Sequence, residues 1–329
     1  MQNGVEENIL SSVWIKAEAE RLGFSACGFA KAQPVDEGHR QFFHDWVQRG
    51  LHADMTYLER NMDKRSNPAC LVEDCRTIIS VALNYFPKTF IPAHQPQISW
   101  YAYGRDYHEV MKEKLQALLG TIQKQYSDAN VTGRCFCDTA PIFERYWAWQ
   151  CGLGWIGRNK QLIIPHAGST YFLGEIFLNQ QVDQYGIPMN DHCGNCMRCI
   201  EHCPTDALTL HKGLDARKCL SYLTIENRGE IPVEAASKMH PYVYGCDRCQ
   251  QVCPYLKFAV PTHEKDFSPT SELLSMDWSS WKELTQESYQ RVFKGSAVKR
   301  AKYPGLQRNV HALSIAEKRD DDTFNMDES

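Results

Sequence analysis

Apolar positions recur at helical spacing over residues 6–22, and Gly23 follows where a left-handed residue closes a helix easily. Residues 26–30 read as a short strand, 41–49 and 55–60 as helices, and Pro68 as a turn. The TIISVAL run over 77–83 is rich in β-branched side chains and predicts a buried strand. Pro87, Pro92 and Pro96 then mark an irregular connection over 85–99. A long helix over 106–126 carries Val110, Leu115, Leu118, Leu119 and Ile122 on its apolar face. A strand over 131–137 leads directly into Asp138, a helix follows over 142–151, and strands are predicted at 162–164 and 171–178. Past residue 184 the pattern changes to cysteine-rich segments with short helices, up to about 260. A mostly helical stretch covers 261–316, and the acidic tail from Arg319 has the composition of a disordered segment.

These elements predict an α+β fold in three parts, 1–184, 185–260 and 261–329. At 329 residues the chain is long enough for two or three domains and a substantial core. A hydrophobic content of 43% and a charged content of 23% are ordinary for a globular protein. The net charge of −4 carries no global nucleic-acid signal, so a polyanionic partner needs a local basic surface. The opening MQNGVEENIL is acidic and polar, unlike a secretory leader, and no twin-arginine motif is present. The longest apolar runs are far short of a membrane span. A cytoplasmic protein with no membrane association is expected. In that reducing compartment, fourteen cysteines point to metal ligation and free thiols.

Eight of those cysteines form a broken double pattern. Cys193, Cys196, Cys199 and Cys203 make C-x2-C-x2-C-x3-C-P with Pro204. Cys246, Cys249 and Cys253 make C-x2-C-x3-C-P with Pro254, and Val243 stands where the first cysteine of that run would be. Cys219, alone between the runs, can supply the missing thiolate. In two-cluster bacterial ferredoxins the cysteine before proline ligates the other cluster. One cluster would thus take Cys193, Cys196, Cys199 and Cys253, and the other Cys203, Cys219, Cys246 and Cys249. Structural zinc is the main competing reading of paired C-x2-C units, but one tetrahedral ion cannot use the triple run. Cys27, Cys70, Cys75, Cys135, Cys137 and Cys151 are left over, mostly as small core residues.

Gly152, Gly154 and Gly157 match G-x-G-x-x-G, yet a helix precedes them and a strand follows, the reverse of a dinucleotide site. A glycine-rich turn lining another flat cofactor fits better. Asp138, in CDTAPIFER, ends an apolar strand, where burial could raise its pKa and make it a proton donor near neutral pH. The plainer reading is a helix cap or a partner for Arg145. Iron–sulfur clusters carry single electrons, so a two-electron reduction needs a second centre such as cobalamin or a flavin. Asp106-Tyr-His108 approaches the D-x-H-x-x-G signature of a cobalt-ligating histidine, but Met111 replaces the glycine. Cobalamin, if used, is expected to bind without that histidine.

Taken together, GFSACGFA, MTYLERNMDKRSNP, YGRDYH, CDTAPIFER, GLGWIGRNKQLI, GSTYFLGEI, both cysteine runs with Cys219, and FKGSAVKRAKYPGLQRNVHAL resemble the epoxyqueuosine reductase family. The resemblance covers roughly residues 6–316. It implies a nitroreductase-like cobalamin-binding domain, a two-[4Fe-4S] ferredoxin-like domain related to that of reductive dehalogenases, and a short C-terminal helical region. The implied reaction reduces epoxyqueuosine to queuosine at the tRNA wobble position, with two electrons and two protons. Electrons would come from an external donor such as ferredoxin or flavodoxin, through the clusters to cobalt, with Asp138 as proton donor. Arg65, Ser99, Asp138, Leu162, Leu173, Ser221 and Asp247 match cobalamin contacts of the family. Without the family, the two leucines would be plain strand core, Arg65 a solvated surface residue and Asp247 a helix cap.

The tRNA partner has one local sign, the basic segment from Arg291 to Arg308 with Lys294, Lys299, Arg300 and Lys302 and no acidic residue. Its bland counterpart is a solvated helix face. Arg105 and Arg158 are candidates for the mouth of the site. Some family members continue into helical HEAT-like repeats, which this sequence does not contain. A monomer is expected. The alternatives are a reductive dehalogenase of small organohalides and a ferredoxin-type electron carrier.

Overall fold

The computed structural model describes residues 9–211 and 213–326. Helices α1 (Ser12–Arg21) and α2 (Glu37–Gln48) flank the first strand of a four-stranded sheet. Its strands are β1 (Ala26–Lys31), β2 (Thr77–Asn84), β3 (Gly133–Phe136) and β4 (Tyr171–Leu178), in the order β1-β2-β4-β3. Every neighbouring pair is antiparallel. All eight residues of β2 are buried because helices cover both faces of the sheet. Ile79, Val81 and Leu83 share one apolar layer with Phe172, Ile176 and Leu178, and with Val110, Met111, Leu115 and Leu118 of α3 (Tyr107–Gln125). Ile78, Ala82 and Phe177 belong to the opposite layer, with Tyr146, Trp147 and Ala148 of α4 (Glu144–Gln150). A strand buried on both faces reads as a continuous apolar run, which is why 77–83 shows no alternation. Gly174 lets α3 lie close on β4, since a Cβ there would stand 2.7 Å from Met111 Cε.

Several boundaries differ from the sequence reading. The first helix begins at Ser12, with Ser11 as its cap, because Leu10 is tied to the far strand end by a bridge to Val182. Residues 6–8 of the expected helix lie outside the described residues. The expected 55–60 helix is a 3-10 turn, Thr56–Leu58, followed by Met62–Ser66, with left-handed Asn61 (φ 58°) between them. The glycines of the declined dinucleotide motif admit a tight hairpin. A Cβ at Gly154 would stand 2.1 Å from the Ile163 carbonyl oxygen, where Trp155–Ile156 pairs with Leu162–Ile163.

Short helices, Arg198–Glu201 and Arg248–Gln251, lie inside the two cysteine runs and carry Cys199 and Cys249, rather than coming after the runs as expected. Helix α5 (Leu220–Ile225) follows Cys219, and α6 (Lys302–Met326) closes the chain, its backbone helical where the acidic tail was expected to lose structure. The three expected parts share one apolar core, which runs from Leu10 through Val243 and Tyr244 to Leu306 and Leu313. Strand Gln97–Ile98 pairs in parallel with Tyr242–Tyr244, fastening the first part to the cysteine-rich part. Fully buried Asn309 of α6 donates to the carbonyls of Thr224 and Val243, at 2.9 and 2.8 Å. Among the described residues, no helix is long and apolar enough to cross a membrane.

Candidate active site and cluster region

The 19-residue helix α3 opens with Asp106 as its cap, the carboxylate accepting from the His108 backbone N–H at 3.1 Å. Tyr107 and His108 therefore lie in the first turn, beside the loop that follows β3. That loop carries Asp138 at a left-handed φ of 57°, a conformation that Asp tolerates better than most residues. The Tyr107 hydroxyl donates to Asp138 Oδ2 at 2.5 Å, and His108 Nε2 lies 3.1 Å from the same oxygen. On its other side His108 Nδ1 meets Asp106 Oδ1 at 2.7 Å, and Asp106 Oδ2 meets Lys299 Nζ at 2.8 Å. The C-terminal part buttresses this turn. Asp106 N donates to the Gly295 carbonyl at 2.7 Å, and Ser296 Oγ donates to that of Ala102 at 3.3 Å.

Over half of the Asp138 side chain is reachable by solvent (56%), yet enclosure by protein is the largest influence on its carboxyl. Both hold for a side chain that opens to solvent from a recess, with protein massed behind it. Tyr57, Tyr101, Arg145 and Arg300 also act electrostatically on Asp138 and mark the same space. The expected raised pKa of Asp138 is not found. Enclosure pushes it up, but hydrogen bonds from His108 and Tyr107 outweigh that and hold it below the usual carboxylate range. Its neighbours shift the other way. Burial opposes charge on His108, but hydrogen bonds to Asp106 and Asp138 carry its pKa up to about 9. Burial and the charge of Asp138 push Glu144 up to about 8. Nor does Asp138 cap α4; instead, the Glu144 carboxylate accepts the Asp138 backbone N–H.

The structure brings the eight cysteines of the motif into two groups. The Cys199 thiol is influenced by Cys193, Cys253 and Cys196, and that of Cys253 by Cys193 and Cys196. Cys219 feels Cys203, Cys246 feels Cys219, and Cys249 feels Cys246 and Cys219. Cys249 also feels Cys199, so the groups adjoin. The Trp155 indole N–H, with no oxygen or nitrogen acceptor, faces the Cys193 thiol. Among the described residues no three His, Cys, Asp or Glu side chains converge tightly enough for a single metal ion. Of the other six cysteines, Cys151 is buried, Cys70 is exposed and the rest are half-buried.

The residues matched to cobalamin contacts fall in three places. Asp138 lines the recess, and Arg65 is close enough to Tyr57 to share its field with Asp138. Arg65 is not the solvated surface residue of the plain reading. It is buried, reaching the Tyr57 carbonyl at 3.3 Å and leaving Nε with no partner. A buried donor without an acceptor fits a ligand rich in amide oxygens, as the corrin periphery is. Ser99 and Asp247 meet at the seam between the first and second parts, both buried. Asp247 does not cap its own helix with its side chain; it accepts from the Trp100 backbone N–H at 2.8 Å. Gly245, with φ +70°, permits this seam, since a Cβ there would stand 2.1 Å from Ser99 Oγ. Tyr101 feels both Asp138 and Asp247 and so spans recess and seam. Leu162 and Leu173 lie in the apolar layer under α4, and half-buried Ser221 follows Cys219 in α5.

The basic segment is largely engaged within the fold. Arg291 pairs with Glu272, Lys299 with Asp106, and Arg300 with Glu226 through two contacts of 2.7 Å. Arg308 is turned inward onto the carbonyls of Leu223, Asn227 and Gly229. Lys294 and Lys302 remain exposed. Arg105 and Arg158 do not reach the recess. Arg105 pairs with Glu113 and Asp266, and Arg158 donates to the carbonyls of Gly194 and Cys196 beside the first cysteine run. Sequence reasoning missed Tyr107, Glu144 and Arg300 as wall residues. The YGRDYH and FER strings held the first two, but only the fold brings them to Asp138.

A family model described as epoxyqueuosine reductase QueG, DUF1730, matches residues 65–139, and a 4Fe-4S double cluster binding domain matches residues 192–256. Joined to the α+β body, the double-cluster module defines an iron–sulfur oxidoreductase. The epoxyqueuosine reductase of Cellulophaga algicola is 42% identical over 299 residues, spanning 91% of this chain and 96% of that protein. That of Pseudomonas aeruginosa is 36% identical, over 90% of this chain and 82% of its own. A solved epoxyqueuosine reductase from Streptococcus thermophilus matches with a TM-score of 0.81 at 27% identity, covering 92% of this chain and 80% of that one. Another, solved with an epoxyqueuosine-modified tRNA-Tyr stem loop, matches with a TM-score of 0.80 at 25% identity and the same coverage. The chain belongs to the epoxyqueuosine reductase family.

Proposed function

We propose that this chain reduces epoxyqueuosine to queuosine at the wobble position of tRNA, using cobalamin and two [4Fe-4S] clusters. The observation that carries the reading is the Asp138 carboxyl, set in a recess between two proton-bearing donors and in a chain that gathers eight thiols. Family membership supports the activity, and the related structure solved with a modified tRNA stem loop supports the partner. A dehalogenase or a plain electron carrier would leave that family membership unexplained, and a carrier has no use for such a recess.

Cys193, Cys196, Cys199 and Cys253 would hold one cluster, and Cys203, Cys219, Cys246 and Cys249 the other. Cobalamin, when bound, supplies the two-electron centre that the clusters alone lack. Arg65, Ser99, Asp138, Leu162, Leu173, Ser221 and Asp247 would line its site. Arg65 has a donor to offer, while buried Ser99 and Asp247 would act by shaping the seam. Asp138 presents a proton to the departing epoxide oxygen, and Tyr107 and His108 orient its carboxyl. The parts 1–184, 185–260 and 261–329 would serve as catalytic body, electron entry and buttress. A ferredoxin or flavodoxin would deliver electrons to a monomer in the cytoplasm, where tRNA is modified. Lys294 and Lys302 are the members of the basic segment best placed to meet phosphates.

Incubating the anaerobically reconstituted protein with epoxyqueuosine-containing tRNA, cobalamin and a reductant, then analysing nucleosides by mass spectrometry, tests this. Queuosine is expected from the wild type. Asp138→Asn should keep its iron and corrin absorbance yet lose about 10²–10⁴-fold in rate. No queuosine from the wild type sinks the activity, and unchanged turnover in the variant removes the acid role of Asp138.

A further inference from the structure

We propose that His108 is the proton source that loads Asp138, and that Asp106 and Lys299 position it for that task. This rests on the deoxygenation reading above and deepens it. In that reaction both C–O bonds of the epoxide break, two electrons enter from the external carrier through the clusters, and the oxygen leaves as water with two protons. A single carboxyl brings one proton at most, and Asp138 rests as the acceptor of two hydrogen bonds. The recess therefore needs a neighbour that can be reloaded.

His108 has the required contacts. Its Nε2 faces Asp138 Oδ2 at 3.1 Å, its Nδ1 faces Asp106 Oδ1 at 2.7 Å, and its side chain is one-third exposed (33%). Asp106, nearly fully buried and held by Lys299 at 2.8 Å, fixes the ring so that Nε2 points at the acid. The proton moves from Nε2 to Asp138, leaving a neutral imidazole whose Nδ1–H stays on Asp106. The loaded carboxyl then gives that proton to the oxygen, and a proton taken up from bulk solvent at the exposed imidazole restores the cation for the second. Other groups facing His108 do not substitute for it. Tyr107, stacked on the imidazole with ring centroids 4.0 Å apart, holds its own proton tightly because it is buried. Glu144 meets Asp138 through the backbone N–H rather than the carboxylate, and Arg145 donates to the Lys160 carbonyl. Glu109 lies against Lys299 at 4.0 Å.

Single-turnover rates on epoxyqueuosine-containing tRNA, measured against pH with the holoprotein, test the inference. Wild-type rate should fall on a basic limb near the histidine's raised pKa, about 9. His108→Gln keeps a donor toward Asp138 but has no proton to give. It should lose about 10²-fold or more in rate and lack the limb, while tRNA affinity stays unchanged. Lys299→Met takes away a positive charge that sits against Asp106 and should move the limb to higher pH. Histidine-ring NMR of the anaerobic holoprotein should show one imidazole, absent in His108→Gln, still protonated at pH 8. A His108→Gln enzyme with wild-type rate and limb, or an NMR titration of that ring near the ordinary value, overturns the proposal. A wild type that forms no queuosine overturns the underlying activity instead.

Discussion

The backbone N–H of Trp100 donates to the carboxylate of Asp247 at 2.8 Å, across 147 positions of sequence. This bond, beside the parallel pairing of Gln97–Ile98 with Tyr242–Tyr244, sets the first part of the chain against the second cysteine run. Tyr101, one residue on, feels both Asp247 and Asp138, so the seam and the recess are adjacent.

Asp247→Ala should therefore destabilise the protein by about 1–3 kcal/mol, the cost of a buried N–H left without its acceptor. Asp247→Asn, which keeps an acceptor oxygen, should cost less. Chemical denaturation of the anaerobic holoproteins measures both, and an Ala variant as stable as wild type would show that the seam does not depend on this bond.

Cys219→Ala should remove one cluster and spare the other. The thiol groups place Cys219 with Cys203, Cys246 and Cys249, whose lone non-motif member it is. Half the iron and half the acid-labile sulfide should remain. Full iron content would refute the assignment of ligands.

Glu175 makes stability fall with rising pH. It lies fully buried in β4, with Ser80 Oγ donating to it at 3.2 Å and its second oxygen unpartnered. Burial, then the nearby Glu144, raises its pKa well above the ordinary value of 4.5. The unfolded chain releases this proton above its ordinary pKa while the folded chain keeps it, so the folded state binds more protons and loses stability as pH rises. The slope is about 1.4 kcal/mol per pH unit until the folded carboxyl ionises. Glu175→Gln, neutral at all pH, should lack this slope and be the more stable protein at pH 8. Parallel pH profiles for variant and wild type would exclude the effect.

Lys294→Ala and Lys302→Ala should each weaken tRNA binding and lower its salt dependence by roughly one phosphate contact. Arg308→Ala should behave differently. It removes donors from three backbone carbonyls and should lower thermal stability rather than the salt slope. Binding measured across salt concentrations, with melting curves beside it, separates the two roles.

Much of this molecule was legible before folding. The cysteine spacing, the β-branched run over 77–83, the long helix carrying Val110 and Leu115, and the strand entering Asp138 are all local patterns, set by periodicity or ligand geometry within one segment. The sequence by itself thus determined the α+β class, the family and the eight thiols. It could not decide the protonation state of Asp138. That depends on Tyr107 and His108 arriving from the first turn of α3, which Asp106 caps, and on Lys299 arriving from the C-terminal part of the chain. A pKa is a sum over spatial neighbours, so the expected raised value at Asp138 became a lowered one once those donors were in place. The same reason separates Arg308, which faces inward, from Lys302, six positions away on the same basic segment. Only the tertiary structure decides which charges meet each other and which remain for a partner.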